Sequence, residues 1–202
     1  MRTSVSSRLV AFFVAVLAST WSSASDFDYC LLCHGGNGNG NVAIRAPKIA
    51  GMEPWYIARQ LEAFASGLRG TNGNDAPGQE MRPIGIRLKE EGRIEDAVRF
   101  VQSLSAKEQP ATITADVTRG RELYETCASC HGARGEGNAS LHAPALASRS
   151  DWYLIAQLQN YKSGQRGSDP RDTHGAQMRA IAATLPDDRA IADVIAYINT
   201  LN

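Results

Sequence analysis

Cys30-Leu31-Leu32-Cys33-His34 and Cys127-Ala128-Ser129-Cys130-His131 are two copies of Cys-x-x-Cys-His, and together they use every cysteine of the 202-residue chain. Two spacer residues let both thiols reach one edge of a porphyrin and add across its vinyl groups. The adjoining histidine is then held beneath the iron. A Cys-x-x-Cys pair also occurs as half a zinc site, as a thioredoxin-like redox pair and as a disulfide. Zinc would require both pairs to converge on one metal and leaves the two histidines unexplained. A thioredoxin-like pair belongs after a strand in a βαβ unit, and the sequence shows no such pattern. The motifs therefore predict two covalently attached haem c groups, on Cys30 and Cys33 and on Cys127 and Cys130, with His34 and His131 as proximal ligands.

The surrounding sequence is duplicated. Adding 97 to a position in the first half lands on its counterpart: Cys30 on Cys127, Pro47 on Pro144, Trp55-Tyr56 on Trp152-Tyr153, Met81-Arg82 on Met178-Arg179, with no gap. Each copy places a methionine 47 residues after its histidine, since 81 less 34 and 178 less 131 agree. A thioether is a soft donor suited to the sixth position of haem iron, and His/Met ligation raises the reduction potential. Met81 and Met178 are the expected distal ligands. Met52 pairs with Arg149 in the repeat and reads as core packing.

Arg2 and Arg8, the apolar run Leu9 to Ala18 and the small residues Ser22-Ser23-Ala24 read as a secretory signal peptide over residues 1–24, with cleavage after Ala24, or alternatively after Ala18. The apolar run is about half the roughly 20 residues a membrane-spanning helix needs, so retention as an anchor is the weaker reading. Export suits haem c chemistry and predicts a periplasmic location. Two domains follow, 25–108 and 109–202. The whole chain balances 21 basic against 21 acidic residues. Removing the signal takes away two arginines and leaves 19 against 21, a net of −2 spread evenly over both halves. Nothing in this pattern points to nucleic acid.

Helical spacing predicts an all-α fold. Pro54 to Ser66, closed by Gly67, and Asp151 to Ser163, closed by Gly164, are matching helices. Thr118 to Cys127 reads as a helix running into the second motif, with Gly120 and Tyr124 on one face. The last helix runs from Pro186 with Ile191, Val194, Ile195, Ile198 and Leu201 buried, and Ile94, Ala97, Val98, Val101 and Leu104 repeat it. The tryptophan-tyrosine pairs read as core packing, or as hydrogen-bond donors to a haem propionate. Gly35 to Asn41 resembles a phosphate cradle in composition, but it follows a haem motif and lacks a Gly-Lys-Ser ending, so it reads as a turn beside the haem. Ser105 to Thr114, around Pro110, is the linker. His142 and His174 pair with Arg45 and Pro77, so the repeat gives them no shared role, and they read as surface residues.

The tandem motifs, the Ala46-Pro47 and Ala143-Pro144 steps, the segments Trp55 to Gly70 and Trp152 to Gly167 and the Met-Arg pairs together resemble the di-haem cytochromes c of the cytochrome c4 type. The similarity covers nearly the whole chain after the signal. It implies two tandem class I cytochrome c domains related by a pseudo-twofold axis, with the Pro47 and Pro144 carbonyls accepting from the proximal histidines. One departure is the short run Ser25 to Tyr29 before the first motif, which leaves little room for a first helix. Two irons with both axial positions filled predict one-electron transfer and not catalysis. The implied carrier is periplasmic, serves redox proteins such as a respiratory oxidase or dehydrogenase, and can dock on a membrane complex. A haem c subunit of a larger dehydrogenase or oxidase shares this chemistry. A di-haem peroxidase needs an open iron, against which the repeated methionine argues.

Overall fold

The computed structural model describes residues 26–201; the expected signal segment 1–24 lies outside them. Four helices form the first module: α1 (Tyr29–His34), α2 (Pro54–Ala65), α3 (Ala76–Glu90) and α4 (Ile94–Gln102). Four more form the second: α5 (Val117–His131), α6 (Asp151–Lys162), α7 (Thr173–Ala183) and α8 (Asp188–Ile198). Single 3-10 turns follow each motif, at Val42–Ile44 and Ala139–Leu141. Among the described residues the only β pairing is one isolated bridge in each module.

The helices follow from the sequence in an ordinary way. Proline opens α2, and beyond Ser66 the chain turns out through Gly67 at φ 77°, a conformation costly for a side chain. The apolar stripe of α4 buries Ile94, Ala97, Val98 and Val101 against Leu61 and Leu88. In the second module α8 buries Ile191, Val194, Ile195 and Ile198 against Tyr124, Leu154 and Leu185. Each module therefore has its own apolar core.

The modules differ at their first helices. Helix α5 has 15 residues and runs unbroken through the second motif, whereas α1 has six. Gly120 in α5 lies so close to α8 that an added Cβ would fall 1.9 Å from the Asp193 carbonyl oxygen. The side chain of Asp193, buried in α8, accepts from the Asp116 backbone N–H at 3.0 Å and pairs with Arg119. In the first module Phe27 fills the place of Tyr124, packing on Phe100 at 5.9 Å between ring centroids, with the Arg93 guanidinium stacked on it.

The linker lacks helix but is bound at both ends. Asn39 donates to the Ser105 carbonyl at 3.2 Å and accepts from the Lys107 N–H at 2.8 Å. The carboxylate of Asp151 accepts from the N–H groups of Thr112 and Ile113 and from the Thr112 hydroxyl. Between the modules, Arg69 donates to Gln60 at 2.7 Å and to Gln157 at 3.3 Å, while Arg166 donates to Gln157 at 2.6 Å and to Gln60 at 3.1 Å. These four residues are repeat counterparts, so the contact is pseudo-twofold symmetric.

Candidate haem sites

Each Cys-x-x-Cys-His motif ends a helix, α1 at His34 and α5 at His131. The chain then curls back, with the Gly40 and Gly137 N–H groups donating to the His34 and His131 carbonyls at 2.8 and 2.7 Å. Paired backbone bonds between Asn41 and Ala46, and between Asn138 and Ala143, close the loop. Each asparagine side chain also caps the 3-10 turn inside it. The closed loop delivers the carbonyl oxygen of Pro47 to His34 Nδ1 and that of Pro144 to His131 Nδ1, both at 2.7 Å.

A carbonyl only accepts, so Nδ1 carries the proton and donates, leaving the lone pair on Nε2. Burial pushes both imidazoles below the usual histidine range, against the pull of the proline carbonyls. Both rings are thus neutral at pH 7 with one nitrogen ready to bind a metal. No disulfide joins any of the four cysteines. Burial pushes Cys127 up to about 11 and shifts Cys30 the same way, opposite to what a redox-active thiolate requires. Among the described residues no three His, Cys, Asp or Glu side chains converge as metal donors, so the two Cys-x-x-Cys pairs do not share one zinc site.

The methionines ride on α3 and α7. Asp75 caps α3 by accepting from the Gly78 N–H at 3.2 Å, and Asp172 caps α7 from Gly175 at 2.9 Å. Met81 and Cys30 both pack against the first core. In the second module Met178, Cys127, Cys130 and His131 line one cavity of about 300 Å³, which extends toward the first module past Tyr56 and Arg166. Met52 is buried in the first core, as a packing residue should be.

The donor set of neutral imidazole, thioether and paired thiols suits haem c. The module interface adds an independent observation. Arg69 and Arg166 are buried, hydrogen-bond to neutral carboxamides, form no ion pair among the described residues, and each keeps an unpartnered buried Nε. Buried cations call for anions, and haem brings carboxylates. Tyr56 stands beside them, its phenol pushed up to about 12, first by burial and then by Tyr153, so it remains a neutral donor. The residues present fit the group.

Three features escaped sequence reasoning. The His142 and His174 rings lie 4.3 Å apart, and the Trp55 ring of the first module lies 6.1 Å from His142. Unlike partners in the repeat hid this pairing. The aspartate caps of α3 and α7 and the arginines before Gly70 and Gly167 were legible as repeated positions, but nothing in their spacing announced a role.

A profile of the cytochrome c family matches residues 117–202. Cytochrome c4 of Thiocapsa roseopersicina is 30% identical over 86% of this chain and 87% of that protein. The thiosulfate dehydrogenase electron acceptor of Stutzerimonas stutzeri is 30% identical over 84% of this chain and 78% of its own length. The crystal structure of reduced recombinant cytochrome c4 from Pseudomonas stutzeri superposes with a TM-score of 0.66 at 27% identity, covering 86% of this chain and 94% of that one. With two haem motifs on two matching helical modules, the chain belongs to the cytochrome c4 family of di-haem electron carriers.

Proposed function

We propose that Cys30 and Cys33 bind one haem and Cys127 and Cys130 the other, with His34 and Met81, and His131 and Met178, as the axial ligand pairs. The observation that carries this reading is the repeated loop that fixes each histidine tautomer through a proline carbonyl. The bound iron supplies one-electron redox chemistry. The chain's own part would be to offer the histidine Nε2 and a methionine thioether to each iron, within apolar walls that exclude water. Residues 25–108 and 109–202 are the two haem domains, on either side of the anchored linker.

The protein works as a periplasmic carrier once a signal peptide ending at Ala24 is removed, and no helix of the described residues is long and apolar enough to cross a membrane. Its donor is a periplasmic dehydrogenase of the kind named in the Stutzerimonas relative, a thiosulfate dehydrogenase, and its acceptor is a respiratory oxidase. The Arg69–Gln157 and Arg166–Gln60 contacts hold the two modules together and, with both haems bound, would keep the two redox centres within one docked molecule.

Mass spectrometry of the denatured mature chain tests the attachment and should show two haem additions on a chain starting at Ser25. Replacing Met81 or Met178 by alanine should open that iron to carbon monoxide and lower its potential. An iron that keeps its spectrum and potential after the change has another ligand.

A further inference from the structure

Repeat symmetry makes the two proximal sides alike, and the interface makes them different. The Pro144 carbonyl that accepts from His131 belongs to the same peptide as the Ala145 N–H. That N–H donates to Oε1 of Glu53, a residue of the first module, at 2.5 Å. The second carboxylate oxygen of Glu53 accepts from Arg149 at 3.0 Å, and Arg149 also donates to the Gly51 carbonyl at 3.1 Å. The result is a continuous relay from carboxylate through one amide to the imidazole.

Among the described residues the first module has no counterpart. Position 150, the mate of Glu53, is a serine whose buried hydroxyl finds no partner, and the mate of Ala145 is Lys48. The Lys48 ammonium is tucked against the carbonyls of Lys107 and Ser148. The residue after the first proximal carbonyl is thus a buried lysine whose ammonium turns to other carbonyls, where a carboxylate holds the second proximal peptide.

We propose that Glu53 is a positioning residue for the second iron, acting across the module interface through the 144–145 peptide to hold and polarise His131, so that the second haem has the lower potential of the two. An amide whose N–H meets a carboxylate carries more negative charge on its oxygen, and hydrogen bonds in series reinforce one another. The oxygen pulls harder on the Nδ1 proton, the imidazole becomes a stronger donor, and ferric iron is favoured. This inference rests on His131 being an iron ligand.

Redox titration of the holoprotein, resolving both midpoints, tests it. Glu53→Gln keeps an acceptor for Ala145 but removes the charge, and should raise the lower midpoint while leaving the higher one in place. Arg149→Met, which installs the residue found at its repeat counterpart, strips Glu53 of its counterion and should move the same midpoint down. A merely structural role would move both variants in one direction or shift both haems, and either result overturns the proposal. Two six-coordinate low-spin spectra with both midpoints unmoved would overturn the role of Glu53 while leaving the ligands standing. An intact second-haem spectrum in His131→Ala would overturn the ligand assignment and this inference together.

Discussion

The first module meets its haem motif with a six-residue helix and the second with a 15-residue one, yet both deliver the histidine to a proline carbonyl at the same distance. The close packing has moved instead. In the second module the most extensive helix pair is α5 with α8, made possible by Gly120 against the Asp193 backbone. In the first it is α2 with α3, where an added Cβ on Gly85 would lie 2.8 Å from the Leu61 carbonyl oxygen and from the Phe64 Cβ. The counterpart of Gly85 is Ala182, so the second module does without that approach. A duplicated fold can thus place its tightest joint at different helices, provided the loop from histidine to proline is kept.

The sharpest break in this comparison is Gly120→Ala. A methyl group 1.9 Å from a backbone oxygen forces α5 off α8, and the second module should lose about 3 kcal/mol. Gly85→Ala meets a looser fit and should cost about 1 kcal/mol in the first. Denaturant unfolding of each holoprotein variant, followed by circular dichroism, measures both; equal losses would remove the distinction between the joints.

Next come the paired aspartates. Asp193, buried and bonded to Arg119 and the Asp116 backbone, should cost about 2 kcal/mol as Asp193→Asn. Its counterpart Asp96 sits at the surface with Arg93 and Arg99, and Asp96→Asn should cost under about 1 kcal/mol.

The linker anchor gives a smaller, pH-dependent effect. Burial alone would raise the Asp151 carboxyl, but the bonds from Thr112, Trp152 and Ile113 outweigh it and hold the group below the usual aspartate range. A depressed folded value means stability that is present above the unfolded value, about 3.9, and lost as pH falls through the folded one. Asp151→Asn should therefore cost about 1 kcal/mol at neutral pH. The gap from wild type should close in acid, as urea midpoints over a pH series will show. The smallest change is Arg93→Gln, which removes a surface pair with Asp26 and the stacking on Phe27. Its effect should be visible only as a low-salt shift in the unfolding midpoint.

The sequence disclosed most of this arrangement because covalent haem chemistry demands fixed spacing and because the chain carries each element twice. Helices α2, α4 and α6 appeared within a residue or two of their expected ends, since proline, glycine and apolar stripes marked them. The α5 helix ran four residues beyond Cys127, to His131, because the motif itself is helical. The α8 helix begins at Asp188, capped by Asp187, two residues after the expected proline. The helices bearing Met81 and Met178 were not foreseen. Glycines and scattered polar residues blur the apolar stripe in both, and α3 also carries Pro77 at its start and Pro83 in its interior. The asymmetric contacts of Glu53, Arg149 and Lys48 were hidden for another reason. They join opposite modules, and the repeat compares each residue only with its counterpart.

The arginines at the interface carry one more implication. Two guanidinium groups are enclosed with neutral amides and stack on the Phe64 and Tyr161 rings, so bringing the halves together confines positive charge that no carboxylate among the described residues pairs with. The propionates of two bound haems would bring charge of the opposite sign. Joining the halves should therefore be easier with both haems attached than with one or none, which the hydrodynamic radii of the haem-free, one-haem and two-haem chains would measure.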